Sequence, residues 1–228
     1  KNENNDNMLM ISLSHGNNKI AQFLINLCLS DEKNPIFTNV SSDGNNVTMK
    51  SVFLGNNEIF KYLLFKAKVD LYVVNTITGH NILHYACELG HEPIITTIIE
   101  FYHAHEMAEA GGEKAQNNYR LLNQNCISQD HLNYAPLHYA AQHTNTTIIN
   151  KMLDLSVEMR QPLLIDNKDL KHDTPIHIAA KYGHHLVIQN MLRGFIVTQL
   201  MLGIVTTPLD RHRQHQVFFE YMDTIHPH

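Results

Sequence analysis

No stretch of about 18 consecutive apolar residues occurs in the 228-residue chain, so no transmembrane helix is expected. Excess basic charge is missing too: charged residues are 17% of the chain and the formal net charge is −5. A phosphate backbone would meet no attracting field, so no nucleic-acid partner is expected. Cysteine is sparse. Cys28, Cys87 and Cys126 have no paired spacing, which argues against a disulfide framework and for reduced thiols in a cytoplasmic setting. There is no phosphate-cradling Gly loop, no G-x-S-x-G and no H-E-x-x-H, so catalytic residues and a cofactor are expected to be absent. A secretory signal is also missing. The chain starts at Lys1 without Met and reads as a fragment, so that absence excludes little.

What is present is a recurrence. Gly79–Ile99, Asn133–Leu153 and His172–Leu192 each read as a turn, a short helix, a break and a second helix. In the last copy Thr174 is placed to cap the first helix through its hydroxyl, and Pro175 follows at the first helical position, where its missing N–H costs nothing. Gly183 stands where a left-handed residue would end that helix. Four, five, eight and nine residues beyond it come Val187, Ile188, Met191 and Leu192, one apolar stripe. Thr144 in place of the Gly gives Ile148, Ile149, Met152 and Leu153, and Gly90 gives Ile94, Ile95, Ile98 and Ile99. Two fainter copies appear upstream. Gly55 gives Ile59, Phe60, Leu63 and Leu64, and Gly16 gives Ile20, Ala21, Leu24 and Ile25. A single helical pair cannot bury such a stripe, but stacked pairs can, so the period predicts a solenoid.

These units resemble ankyrin repeats, whose core reads D-x-x-G-x-T-P-L-H-x-A-A-x-x-G-H within about 33 residues. The core appears as Asp169, Thr174-Pro-Ile-His177, Ala179-Ala180 and Gly183-His184, and as Asp130, Pro136-Leu-His138 and Ala140-Ala141. A worn version is Gly79, Ile82-Leu-His84, Ala86-Cys87 and Gly90-His91; Cys87 replaces a packing Ala and is expected to be buried. In the first two units Asn7-Met-Leu-Met10 and Asn46-Val-Thr-Met49 replace the T-P-L-H tetrapeptide. The resemblance implies an all-α solenoid of stacked helix-turn-helix units with short β-turn or hairpin connections. Repeats are expected at about 3–29, 41–66, 76–110, 130–160 and 169–202, with Lys1–Asp6 a frayed lead-in. Between the third and fourth repeats the spacing of the Thr slot stretches to 54 residues, which predicts a helical insertion at about 103–126. After the fifth, Thr207-Pro208-Leu209 restarts the motif and then degenerates, as a polar terminal cap over 203–226 would.

Seventeen histidines invite a metal reading. In the family frame, however, His84, His138 and His177 bond within their own turn and to the neighbouring one, and His91 and His184 follow the break. His103/His105, His184/His185, His212/His215 and His226/His228 are pairs that no Cys or carboxylate cluster completes, so no metal site is expected. Near-surface imidazoles of ordinary pKa would instead make the net charge strongly acid-sensitive.

The family geometry implies a protein-binding array, displaying residues just before the Thr-Pro slot and just before the break. Those are Thr78, His80, Glu88 and Leu89 in the third repeat, His131, Leu132, Tyr134, Gln142 and His143 in the fourth, and Lys171, Asp173, Lys181 and Tyr182 in the fifth. Phe53 and Leu54 fill these slots in the second, with Phe53 expected to pack on a neighbouring repeat. The expected function is thus a monomeric, non-catalytic docking module for another protein. Its Asn-, Ile- and His-rich composition resembles ankyrin effectors that intracellular bacteria deliver into host cytoplasm. The alternative is the substrate-targeting region of a larger multidomain enzyme.

Overall fold

The computed structural model describes residues 1–29, 34–67, 69, 71, 73–108, 128–158 and 167–201. Among the described residues every regular element is a helix. The helices are α1 (Met8–Ser14), α2 (Asn18–Cys28), α3 (Pro35–Thr38), α4 (Val47–Phe53), α5 (Asn57–Phe65), α6 (Ile82–Glu88), α7 (Glu92–Ala108), α8 (Pro136–Ala140), α9 (Thr146–Glu158), α10 (Pro175–Lys181) and α11 (His185–Met201). None is long and apolar enough to cross a membrane. Five inner–outer pairs result: α1/α2, α4/α5, α6/α7, α8/α9 and α10/α11. The expected insertion at 103–126 lies largely, and the cap at 203–226 wholly, outside the described residues.

Local chemistry sets the helix ends. Asn7, Asn46 and Asn81 occupy the Thr slot of the first three repeats, and each Oδ1 accepts an amide of the first turn: Met10 N at 3.0 Å, Met49 N at 2.9 Å and His84 N at 3.0 Å. At Thr174 the hydroxyl lies 2.8 Å from His177 Nδ1, and the two residues form a capping box at the start of α10. At the breaks Gly16, Gly55, Gly90 and Gly183 all have φ between 66° and 73°, the left-handed conformation expected of them. A β-branched residue is disfavoured there. Thr144 accordingly takes no positive φ, and α8 stops at Ala140, four residues before it.

The N-terminus differs from the frayed lead-in that its composition suggested. Asn2 to Asp6 form a closed turn, with Asn5 N donating to Asn2 O, Asn2 N to Asp6 O, and Asn5 at φ 59°. The same bonding recurs at Ser41–Asn45, Asp130–Tyr134 and Asp169–Asp173, so the first repeat begins with a complete turn.

The stripes meet as their period requires. Ile98, Met152 and Met191 share one buried cluster that runs from the second to the fifth repeat. A second cluster joins the first two repeats. Helix α5 belongs to both, giving Ile59 and Leu63 to the first-repeat side and Phe60 and Leu64 to the third-repeat side. Cys87 is buried among them. Of the stripe residues only Ile20 is exposed.

Candidate partner-binding surface

Each turn is organised by a polar head residue. Asp130 Oδ1 accepts Leu132 N at 2.8 Å and Tyr134 N at 2.9 Å; Asp169 Oδ1 accepts Lys171 N at 2.7 Å and Asp173 N at 2.8 Å. Asn75 Oδ1 does the same for Ile77 N and Thr78 N, at 2.8 and 3.0 Å. Consecutive turns are then bonded to one another, His131 N to Thr78 O at 3.0 Å and Leu170 N to Leu132 O at 3.3 Å. The approach is close at Gly79, φ 76°, where a Cβ would lie 2.8 Å from His131 Cδ2 and 3.0 Å from its amide. The result is a ladder of adjacent tips that carries Ile77, Leu132 and Leu170 in sequence, 57%, 56% and 61% exposed.

Beneath the tips, adjacent repeats share a polar clasp. It joins the residue before one N-cap, the fourth residue after the next N-cap, and a residue of the next turn, which is the head at the second and third boundaries. Between the first and second repeats, Lys50 Nζ donates to Asp6 at 2.6 Å and lies 4.0 Å from Asp43. At the next boundary the Tyr85 hydroxyl donates to Asn45 Oδ1 at 2.9 Å, and Asn75 Nδ2 bonds both groups. At the third, the Tyr139 hydroxyl donates to Asp130 Oδ2 at 2.6 Å, and His80 Nε2 sits 3.0 Å from both. Burial pushes the Tyr139 phenol up, and Asp130 adds to the effect. Burial would also raise Asp130, but bonds from His80, Tyr139 and the Tyr134 and Leu132 amides outweigh it and hold this carboxyl at about 2.

The motif histidines make a second set of ties. Asn81 N donates to His84 Nδ1 at 3.2 Å, so the ring is the Nε2–H tautomer, and Nε2 donates to Tyr134 O at 2.9 Å. His138 repeats this with Ala135 N at 3.0 Å and Asp173 O at 3.3 Å. Burial lowers both imidazoles, His84 from 6.5 to about 4. Two more rings bridge backward, His143 Nε2 to Glu88 O at 2.6 Å and His184 Nε2 to Gln142 O at 2.9 Å.

A pH dependence follows. Between pH 6.5 and 4 the unfolded chain binds a proton at His84 that the folded chain refuses, so stability rises with pH across this window. Acidification from 6.5 to 4 should remove about 3 kcal/mol through His84 alone, with His138 adding to the loss. Urea unfolding at pH 7.5 and 4.5 measures this, and equal stabilities would contradict it.

The residues expected to be displayed divide accordingly. Leu89, His131, Leu132, Lys171, Lys181 and Tyr182 are exposed, although His131 Nδ1 also bonds the Ile77 carbonyl at 2.8 Å. Thr78, Glu88, Tyr134, Gln142, His143 and Asp173 are half-buried, and the Tyr134 ring lies flat on His138 at 5.2 Å. The exception is His80. It is buried because the Asp130 carboxylate and Tyr139 hydroxyl of the next repeat draw it inward, so it holds the frame and is not displayed. Phe53 meets Tyr85 edge-on at 5.7 Å, as expected, and its outer side stays exposed. Ile77 and Leu170 were missed by sequence reasoning. Their signal was an apolar residue one or two places after the turn head, where turns are otherwise polar. Among the described residues no group of three or more His, Cys, Asp or Glu converges to hold a metal ion.

Comparison with known proteins agrees with this geometry. Residues 55–162 match the description of ankyrin repeats in three copies, and 171–199 that of a further ankyrin repeat. The chain is 30% identical over 89 residues to human transient receptor potential cation channel subfamily A member 1, covering 39% of this chain and 8% of that protein. It is 24% identical over 153 residues to transcription factor MBP1 of Saccharomyces cerevisiae, covering 56% of this chain and 17% of that one. It thus spans less than a fifth of either relative. In three dimensions it is similar to the crystal structure of EF0377, an ankyrin repeat protein, with a TM-score of 0.61 at 18% identity over 84% of this chain and 82% of that one. Turn ladder, His ties, stacked stripes and matching repeats converge on one assignment: this chain belongs to the ankyrin-repeat family.

Proposed function

We propose that the array docks a partner protein along its turn tips and the ends of its inner helices, without catalysis of its own. One observation carries this reading. Apolar side chains recur exposed along the array: on the tips Ile77 and Leu132, each two places after its turn head, with Leu170 one place after the next head, and Leu54, Leu89 and Tyr182, each one place before a break. The folding energy comes from elsewhere, namely the buried stripes, clasps and His ties. Large apolar and aromatic groups outside the buried core, with Lys171, Lys181 and Glu88 around them, have the make-up of an interface core and rim. Two settings suit that role. One is an effector acting on a host protein in the cytoplasm, the other the targeting region of a longer enzyme. The low coverage of both relatives favours neither a complete nor a truncated parent, and the length of the open reading frame separates the two.

The test is the double variant Leu132→Glu with Tyr182→Ala. Both side chains are more than half exposed, so stability should change by no more than about 0.5 kcal/mol each. Capture of cross-linked partners from lysate, quantified by mass spectrometry, should fall roughly 10-fold or more. Undiminished capture with an intact fold would rule out this surface.

A further inference from the structure

Every internal boundary of the array is built from the same positions. Counted from the break residue, places four, seven, eight and eleven of the outer helix face the preceding repeat, while two, five, nine and ten face the following one. Ile59 and Leu63 join the cluster of the first repeat, Phe60 and Leu64 that of the third. The Tyr62 hydroxyl donates to Asn26 Oδ1 of α2 at 2.7 Å, and Thr97 Oγ1 to Asn57 Oδ1 of α5 at 2.8 Å. Lys151 Nζ reaches Glu92 at 3.9 Å, and Phe101 packs edge-on against Phe65 at 5.4 Å.

In the first repeat the positions facing a preceding unit are Ile20, Phe23, Leu24 and Leu27. All four are apolar. Ile20 is 53% exposed, Phe23 64% and Leu27 66%, whereas Ile59, Ile94, Ile148 and Val187, the counterparts of Ile20, are at most 1% exposed. Met8 opens α1 at 66% exposure, where Val47, Ile82, Pro136 and Pro175 are buried. The turn agrees. Ser42, His131 and Leu170, each one place after a turn head, donate their amides back to the preceding turn. The equivalent donor in the first turn is Glu3, which has no earlier turn among the described residues.

We propose that this end of the array is a docking face for one more helical hairpin of the same architecture, stacked in line ahead of α1 and α2. The occupant must present an apolar pair at places five and nine after its own break, as Ala21/Ile25 and Phe60/Leu64 do here, together with a turn carbonyl for the Glu3 amide. A second copy does not meet these terms. Head to head it offers another row of donors and the wrong places of its outer helix. Head to tail it must use Ile188, which is already buried, at 4% exposure. Charge presents no obstacle, since Lys19 is the single ionised side chain on α2.

The test extends the full chain at its N-terminus with one designed ankyrin unit, made in two forms that carry Leu or Lys at places five and nine. Hydrogen exchange of the α1 and α2 amides is the readout, alongside sedimentation of the unextended chain. The Leu form should slow exchange at least ~10-fold, since several large side chains leave water together, and the Lys form should not. Phe23→Asp, an exposed change, should cancel the protection. Equal protection by both forms would overturn the proposal. So would a concentration-dependent dimer of the unextended chain that Phe23→Asp abolishes.

Discussion

Replacing Asp130 by alanine is expected to destabilise the array by about 3–5 kcal/mol, because one side chain satisfies four donors and the loss strands both turn amides and leaves the Tyr139 hydroxyl and the His80 ring only each other. Its Oδ1 holds the amides of Leu132 and Tyr134, and its Oδ2 holds the Tyr139 hydroxyl and the His80 ring. Three of these groups belong to the fourth repeat and His80 to the third, so turn and boundary fail together. Asp130→Asn separates the contributions. The amide oxygen keeps both backbone bonds, while its NH2 group cannot accept from the phenol or the imidazole, so the cost should fall to roughly 1–2 kcal/mol. Urea unfolding of both variants at neutral pH measures this. Equal losses would mean that the clasp, not the turn, carries the stability. An Ala variant within experimental error of wild type would remove the head residue from the account altogether.

Phe60→Ala should cost a similar amount, about 3–5 kcal/mol, and should also change the shape of the transition. Phe60 is fully buried on the side of α5 that faces the third repeat, while Ile59 and Leu63 hold the same helix to the first. In a stack whose stability is a sum of nearest-neighbour boundaries, weakening one boundary uncouples the parts on either side. The first two repeats should then unfold at lower denaturant than the last three. Hydrogen exchange of α2 and α9 amides across a urea series reads the two parts separately. Coincident loss of protection in the variant would show that cooperativity does not pass through α5.

The repeat could be read from sequence because its signal is periodic and local. A stripe at places four, five, eight and nine after a left-handed Gly is a statement about one helix, and the buried residues fall on it from Ile59 to Met191. The Asn caps at Asn7, Asn46 and Asn81 are local as well, and the Thr slot already marked them. The display residues were harder to assign, because exposure depends on what the next repeat brings. Tyr85 and Tyr139 occupy the same place of their inner helices, but the polar group each one meets comes from 40 and 59 residues away. No spacing rule reveals that Asn45 and His80 are equivalent partners in those clasps. Hence His80 looked available when it was not, while Ile77 and Leu170, which read as ordinary turn residues, stand open.

The amino-acid order alone determined the unit: where each helix starts, where it breaks, and which stripe has to be covered, since capping, left-handed glycines and helical period act within a few residues. Only the stacked structure decided which polar groups are spent between repeats and which apolar groups are left over. That outcome depends on side chains from neighbouring turns reaching one another, Asp130 to His80 and Lys50 to Asp6, and on no described residue covering Ile20, Phe23 and Leu27.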